Sequence, residues 1–124
     1  MKKMRFIIPL ISFVVVIVLL RFVFYIGYVS TESMEPTILA GSKVIGIRII
    51  KDLSVGDIIV FEYNDTNMVK RIAAEPGEKI SNNLVVPEDC YYVLGDNTNN
   101  SYDSRYWPEP FVHRNKIKAR IIFR

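Results

Sequence analysis

An apolar run at residues 6–29, FIIPLISFVVVIVLLRFVFYIGYV, constrains the fold of this chain more than any other feature, and a single charge, Arg21, interrupts it. Its 24 residues in a helix would reach about 36 Å, enough to cross a hydrocarbon core of about 30 Å. Arg21 is expected about 22 Å along this helix, where its long side chain can reach the far membrane surface. The run therefore predicts one transmembrane helix.

A cleaved signal peptide is the alternative for this run. Its apolar region would span only about 7–15 residues and would end at a small-x-small site. The run is longer than that, and no Ala-x-Ala follows it. We therefore predict a short cytoplasmic N-terminus at 1–5, an anchor at 6–29 and an extracytoplasmic domain at 30–124. The basic residues within 1–5 place that domain outside the cytoplasm by the positive-inside rule.

The charge and the metal-ligand content of residues 30–124 exclude several classes of function. These residues carry 12 Lys and Arg against 13 Asp and Glu, so the domain lacks the basic footprint of a nucleic-acid-binding protein. Cys90 and His113 are the only Cys and His, too few for a zinc site, and a lone Cys allows no intramolecular disulfide. No calcium-loop or phosphate-loop spacing occurs. We expect no nucleic acid, no metal and no cofactor.

Short β-rich runs separated by turn residues follow the apolar run. β-branched residues and turn signals predict strands at residues 43–50, 57–63, 67–74, 79–86, 90–94 and 115–123. In the last of these, basic residues at 116, 118 and 120 alternate with apolar residues. This alternation predicts a half-buried edge strand with a solvated basic face, with lipid headgroups as an alternative contact. Residues 30–124 are therefore expected to be mainly β.

Ser33 begins the stretch Ser33-Met34-Glu35-Pro36-Thr37, which lies just beyond the apolar run. Taken alone, this serine could simply cap a turn in which Pro36 sets φ. Two further polar stretches, Lys70-Arg71 and residues 95–105, could likewise be exposed strand charges and a surface loop. Whether these three stretches have a function depends on whether they occur together as parts of one site.

Four stretches occur in a fixed order: TESMEPTI around Ser33, GDIIVF at 56–61, KRIAAEPGE from Lys70, and GDNTNNSYDSR at 95–105. In this order they resemble the sequence boxes of bacterial type I signal peptidases of the Ser-Lys kind. The resemblance covers the apolar run and nearly all of residues 30–124. It implies a small, mainly antiparallel β-domain in which Ser33 attacks the scissile carbonyl and Lys70 is the general base.

The resemblance also implies roles for the neighbours of this pair. Ser101 would hold the Lys70 amine by a hydrogen bond. The backbone N–H of Ser33 and the hydroxyl of Thr31 would form the oxyanion hole. Asp103 would pair with Arg105 and Asp96 with Arg71. The resemblance further implies that five residues form the walls of shallow pockets for small substrate side chains: Val29, Met34, Ile38, Met68 and Val69.

A lysine can act as a base only when it is neutral, and an unperturbed lysine has a pKa of about 10.4. Lowering that pKa by about three units requires about 4 kcal/mol, and desolvation is the available cause. In a strand, Lys70 shares one face with Met68 and Ile72, whereas Arg71 points to the other side. Lys70 can therefore be dry while Arg71 is paired.

The chain departs from the family pattern in the segment after Arg105. The family usually has a Gly there, whereas this chain has Tyr106-Trp107-Pro108-Glu109-Pro110, which predicts a rerouted loop. The expected protein is a single-pass serine endopeptidase of a bacterial cell membrane. It would remove signal peptides from exported preproteins on the outer face. The alternative is a non-catalytic, membrane-tethered assembly or binding protein on the same scaffold.

Overall fold

The computed structural model describes residues 2–124, apart from the side chain of Asn82. Its first element is the helix α1, Lys2–Val23, with a mean hydropathy of 2.9 over its most apolar 18-residue window. Twenty-two helical residues span about 33 Å, so α1 is long and apolar enough to cross a membrane. The helix begins at Lys2, so the basic residues predicted as a separate segment form its first turn. Met1 lies outside the described residues.

The helix ends six residues earlier than the predicted segment 6–29. Phe24–Tyr28 forms the strand β1, which pairs antiparallel with β2, Lys43–Ile47. Hydrophobicity alone does not distinguish a helix from a strand in a short apolar run, and the partner strand decides between them. As a result Arg21 lies in the last turn of α1, close to the end of the apolar helix.

Seven more strands follow: β3 Ile58–Tyr63, β4 Thr66–Ala74, β5 Lys79–Ile80, β6 Leu84–Val85, β7 Cys90–Leu94, β8 Val112–His113 and β9 Ile117–Phe123. Seven strands form one sheet in the order β1-β2-β9-β3-β4-β7-β8, and β5 and β6 form a separate hairpin. Every strand pair is antiparallel. This confirms the predicted fold class, a mainly β domain preceded by one apolar helix.

Two predicted strands differ in the structure. The run 79–86 is not one strand, because a 3-10 turn at Ser81–Asn83 separates β5 from β6. β9 is not an edge strand, because it lies between β2 and β3 and pairs with both. Side-chain alternation shows that a strand has two different faces, but it does not show whether the backbone edges are paired.

Two apolar clusters hold the domain together, one on each face of the sheet. Ile59 and Phe61 of β3 belong to the first cluster, together with Ile72, Val93 and Trp107. The second cluster is formed by Val29, Met34, Ile38, Val44 and Ile58. Because successive side chains of a strand alternate between faces, β3 contributes to both clusters and is buried on both sides.

The order of strands leaves an opening next to β4. β7 pairs with β4 only from Arg71 onward, while the preceding residues of β4 pair with β3 on one edge alone. The chain following β1 comes close to this free edge, because Tyr28–Thr31 and Thr66–Lys70 line one cleft. The sheet therefore holds two backbone segments on opposite sides of a cleft, and Ser33 follows the first of them.

Candidate active site

Ser33 is held at the mouth of the cleft by its neighbours in the chain. It is buried, and the next residue, Met34, is fully buried in the second cluster. The carbonyl oxygen of Ser33 accepts a hydrogen bond of 2.9 Å from the backbone N–H of Asn97. The loop at 95–105 is thus tied directly to the backbone of this serine.

Lys70 reaches Ser33 from the neighbouring strand β4. Its Nζ lies 2.6 Å from Ser33 Oγ, and its side chain is buried, with 3% of its surface exposed. Met68 and Ile72 share its face of the strand and both pack in the first cluster, as the alternation predicts. The sheet therefore presents a lysine amine to a serine hydroxyl in a nearly dry environment.

Two opposing effects act on the Lys70 ammonium. Burial lowers the pKa of Lys70 from its ordinary value, because the charged form loses its hydration. The negative charge of Asp103 raises the pKa, but by less than burial lowers it. The net direction is downward, which is the direction that makes a neutral amine available.

Thr31 lies beside the Ser33 hydroxyl. Its Oγ1 is 3.2 Å from Ser33 Oγ, within hydrogen-bond distance. Thr31 and Ser33 also line the same two clefts. The structure thus places a second hydroxyl next to the serine, where the resemblance had implied a donor.

Ser101 makes a different hydrogen bond from the one predicted. Its Oγ donates to Asp103 Oδ2 at 2.8 Å. Among the described residues, the only hydrogen-bond partner of Lys70 Nζ is Ser33 Oγ, so the predicted bond from Ser101 to Lys70 is absent in this conformation. The Ser101 hydroxyl could still accept a hydrogen bond while it donates to Asp103, so the bond is absent because Lys70 Nζ is directed at Ser33 Oγ.

Asp103 organises the loop at 95–105. Its side chain is fully buried and accepts hydrogen bonds from Gly95 N, Ser101 Oγ and the Arg105 guanidinium, all between 2.8 and 2.9 Å. Burial raises the pKa of Asp103, but these hydrogen bonds, from Arg105 first, outweigh it and hold the pKa below its ordinary value. The predicted pair of Asp103 with Arg105 is present.

The predicted pair of Asp96 with Arg71 is also present. Arg71 Nε and one terminal nitrogen donate to the two Asp96 carboxylate oxygens at 2.8 and 2.7 Å. The remaining terminal nitrogen donates to the Gly56 carbonyl oxygen at 2.7 Å. These hydrogen bonds raise the pKa of Arg71 and lower that of Asp96. The pair fastens the start of the loop to β4 next to Lys70.

Gly95 is a functional position that sequence reasoning did not single out. A Cβ added there would lie 2.5 Å from Ser101 Cβ and 2.6 Å from the Ser33 carbonyl oxygen, closer than carbon atoms of real side chains approach. Only a glycine lets the loop approach Ser33 this closely. The signal in the sequence was the glycine that opens GDN at the end of the predicted strand 90–94.

Two adjoining clefts meet at Ser33 and Lys70. The smaller has a volume of 130 Å³ and includes Val29, Met68 and Val69 in its lining. The larger, of 430 Å³, extends past Ser33 toward the loop at 95–105. Three of the five predicted wall residues therefore border the site.

The other two predicted wall residues, Met34 and Ile38, do not border it. Both are buried in the second cluster, with 0% and 2% of their surfaces exposed. Their predicted contact with a substrate stays a prediction. Because Ser33 must be fixed in place, the apolar residues that follow it are used to anchor the segment in the core.

The segment after Arg105 packs on the first cluster and not on the cleft. Trp107 is buried there and stacks on Tyr63, with ring centroids 4.3 Å apart. Its indole Nε1 has no hydrogen-bond partner within the part of the chain that the structure describes. The predicted rerouting of this segment leaves the contact between Ser33 and Lys70 intact. Across the same residues there is no group of three His, Cys, Asp or Glu placed to hold a metal ion.

The fold and the site together define a class: a mainly β domain behind an apolar helix, in which a serine hydroxyl contacts a buried lysine amine. The family described as "Signal peptidase, peptidase S26" matches this chain over residues 2–84 and 80–124. The chain therefore belongs to the signal peptidase family, and the family predicted from the four sequence stretches is confirmed.

Named relatives of the chain support its membership of this family. A probable signal peptidase I-2 of Synechocystis is 32% identical over 134 aligned positions, which cover 78% of this chain and 61% of the relative. Signal peptidase I of Leptolyngbya laminosa is 29% identical and covers 78% of this chain and 66% of its own length. Signal peptidase I P of Bacillus subtilis subsp. natto is 29% identical, covering 77% and 74%. The chain thus spans less than two thirds of the length of the first two relatives.

Replacing Asp103 with Asn should destabilise the domain. Asn cannot accept all the hydrogen bonds that Gly95, Ser101 and Arg105 donate, so we expect a loss of about 2–3 kcal/mol in the free energy of unfolding. Urea unfolding of the full chain in neutral detergent, followed by the fluorescence of Trp107, measures this loss. Because the pKa of Asp103 is depressed in the folded state, the difference from wild type should be present above about pH 4 and shrink at lower pH.

The matched control is Asp52→Asn, the same substitution at an exposed position. It should change the free energy of unfolding by no more than about 0.5 kcal/mol. Equal free energies of unfolding for the Asp103 and Asp52 variants would contradict the role of Asp103 in stabilising the loop.

Proposed function

We propose that this chain is a membrane-anchored serine endopeptidase that removes N-terminal signal peptides from exported preproteins. Ser33 is the nucleophile and Lys70 is the general base. The observation that carries the proposal is the contact of 2.6 Å between Ser33 Oγ and the buried Lys70 Nζ. Membership of the signal peptidase family and the names of the relatives support the choice of substrate.

The proposed reaction begins with a proton transfer between these two side chains. Neutral Lys70 takes the Ser33 hydroxyl proton as Oγ forms a bond to the scissile carbonyl carbon. The lysine ammonium then gives a proton to the departing amine as the C–N bond breaks, which leaves an ester on Ser33. Lys70 next takes a proton from a water molecule that attacks this ester, and the released serine regains its proton.

The negative charge that develops on the carbonyl oxygen needs hydrogen-bond donors. The Ser33 backbone N–H and the Thr31 hydroxyl, 3.2 Å from Ser33 Oγ, are the proposed donors. Donors that are fixed before the reaction stabilise this charge better than water, which must reorient. Thr31 is free to donate to the oxyanion because its hydroxyl can rotate away from Ser33.

The free edge of β4 is the proposed docking site for an extended substrate. Asn67–Val69 pair with β3 on one side only, and their other edge faces the cleft opposite Val29. A substrate added as a strand would form main-chain hydrogen bonds with this edge and direct its scissile bond toward Ser33. The small volume and the apolar lining by Val29, Met68 and Val69 favour small residues before the cleaved bond.

The helix α1 places the site at the same depth relative to the membrane as the cleavage site of the substrate. In this proposal α1 spans the membrane with its basic N-terminus in the cytoplasm, so the β-domain lies on the outer face of a bacterial membrane. The cleavage site of a preprotein also follows an apolar helix. Enzyme and substrate are therefore both confined to the membrane surface and do not have to find each other in three dimensions, which raises their effective concentration.

The alternative is a non-catalytic protein on the same scaffold. Such a protein has no need of a nucleophile or a base, whereas this chain keeps both Ser33 and Lys70 and holds them in contact. The structure thus favours catalysis over a purely structural or binding role.

Ser33→Ala and Lys70→Met should each abolish preprotein cleavage. We expect kcat/KM to fall at least about 10³-fold in each variant, since each removes one half of a unit that acts together. The measurement uses the full chain in neutral detergent with a preprotein, and N-terminal sequencing of the product locates the cut.

Ser54→Ala and Lys43→Met are the matched controls, because both residues are exposed and lie outside the two clefts. They should cleave like wild type. Cleavage by Lys70→Met at the wild-type rate would remove Lys70 from the mechanism, and cleavage by Ser33→Ala at that rate would remove Ser33.

The pH dependence of cleavage should follow the protonation of Lys70. The enzyme is active while this amine is neutral, that is, at pH values above its lowered pKa. The rate should therefore fall as the pH drops through that pKa, which lies below the ordinary lysine value of about 10.4. Initial rates between pH 5 and pH 10, with Trp107 fluorescence as a check that the protein stays folded, would show this. A rate independent of pH over that range would contradict the role of Lys70.

A further inference from the structure

The larger cleft has a lining that the proposed reaction does not use. Glu32, Asn100 and Tyr102 border it but not the smaller cleft, and we call the part that they form the polar lobe. The smaller cleft, with Val29, is called the apolar lobe. Both clefts border Ser33 and Lys70, so there is space for one side of a scissile bond in each lobe.

Glu32 is the acidic residue of the polar lobe, and it directly precedes the nucleophile. Its Oε2 accepts a hydrogen bond of 3.0 Å from Asn100 Nδ2. Its backbone carbonyl oxygen accepts another, also of 3.0 Å, from Asn97 Nδ2. Since Asn97 also donates to the Ser33 carbonyl oxygen, one loop fixes both the nucleophile and this carboxylate.

The charge of Glu32 is not neutralised by the protein around it. Within residues 2–124 as described, no Lys, Arg or His nitrogen forms an ion pair with its carboxylate within 4.0 Å. Arg71 and Arg105 are paired with Asp96 and Asp103, and Lys70 is the amine that the reaction needs neutral. The polar lobe therefore presents one fixed, exposed negative charge to whatever lies beyond Ser33.

Which lobe receives which side of the substrate follows from their size and polarity. The apolar lobe, at 130 Å³ and beside the free edge of β4, suits the small residues before the cleaved bond. The polar lobe, which is part of the larger cleft of 430 Å³, is then left for the chain that follows the bond. In the proposed function that chain is the start of the mature protein.

We propose that Glu32 is a specificity-determining residue that selects substrates by the charge of the first two residues after the cleaved bond. This inference rests on the proposed function. A lysine or arginine at either position is favoured by attraction to the carboxylate, and an aspartate or glutamate is disfavoured by repulsion. Exposed charges in water contribute modestly, so we expect about a fivefold difference in kcat/KM between a Lys and a Glu substrate.

The experiment compares substrates that differ only in this charge. One preprotein is prepared with Lys, Gln or Glu at the first residue after the bond, and a second set carries the same three residues at the second position. Wild type, Glu32→Gln and Glu32→Lys are assayed with each substrate in neutral detergent, so that no anionic lipid surface attracts the cationic substrates. Wild type should prefer Lys over Glu in at least one set, Glu32→Gln should lose that preference, and Glu32→Lys should reverse it.

Glu35→Gln is the matched control. It removes the same charge three residues further along the chain, from a side chain that accepts a hydrogen bond from Ala40 N and borders neither cleft. It should keep the wild-type preference. The Gln substrates report catalysis without charge, so their cleavage by wild type shows that the proposed function holds.

Three outcomes would overturn the inference while leaving the proposed function intact. One is cleavage of all six substrates by wild type without a preference for charge. The second is a preference that persists in Glu32→Gln. The third is an equal slowing of all substrates in the Glu32 variants, which would indicate a structural role. Failure of wild type to cleave even the Gln substrates would instead overturn the proposed function.

Discussion

The contact between Lys70 Nζ and Ser33 Oγ is the interaction on which the rest of the site depends. In the proposed mechanism the lysine must be neutral, and burial favours the neutral form by lowering its pKa. The carboxylate of Asp103 works against burial. The Arg105 guanidinium forms an ion pair with that carboxylate, and its positive charge reduces the negative potential of Asp103 at Lys70. The Asp103–Arg105 pair thus affects the contact between Ser33 and Lys70 as well as the loop at 95–105.

The fold provides the contact by bringing two distant segments together. β4 presents Lys70 from a sheet whose two faces are both packed, and the chain leaving β1 delivers Ser33 to the same place. Met34, buried in the core, stops the Ser33 segment from moving away. Gly95 then lets the loop at 95–105 close over both. Ser33 follows the apolar helix in the chain with only the short strand β1 and its connection between them, so in the proposed function its depth relative to a membrane is a consequence of chain connectivity.

Much of the fold and part of the site could be predicted from the sequence. The strands with strong alternation, the side of β4 that Lys70 occupies, and the pairs Asp96–Arg71 and Asp103–Arg105 follow from periodicity and from the family resemblance. Catalysis by Ser33 and Lys70 stays a prediction, although the structure brings the two side chains together.

The features that could not be predicted depend on long-range partners. Phe24–Tyr28 is a strand because β2 lies beside it, and β9 is central because two strands flank it. None of these choices is encoded in the local pattern of residues. The same holds for Gly95, whose importance appears only when the Ser33 backbone is placed against it.

A direct measurement of the pKa of Lys70 tests the central claim. The full chain, labelled with ¹³C at the lysine Cε positions, is titrated by NMR in neutral detergent, and the signal that Lys70→Met lacks is assigned to Lys70. We expect a pKa for this amine below the ordinary lysine value of about 10.4, because burial outweighs the charge of Asp103. A pKa at or above that value would show that the lysine is charged at neutral pH and would contradict its role as the base.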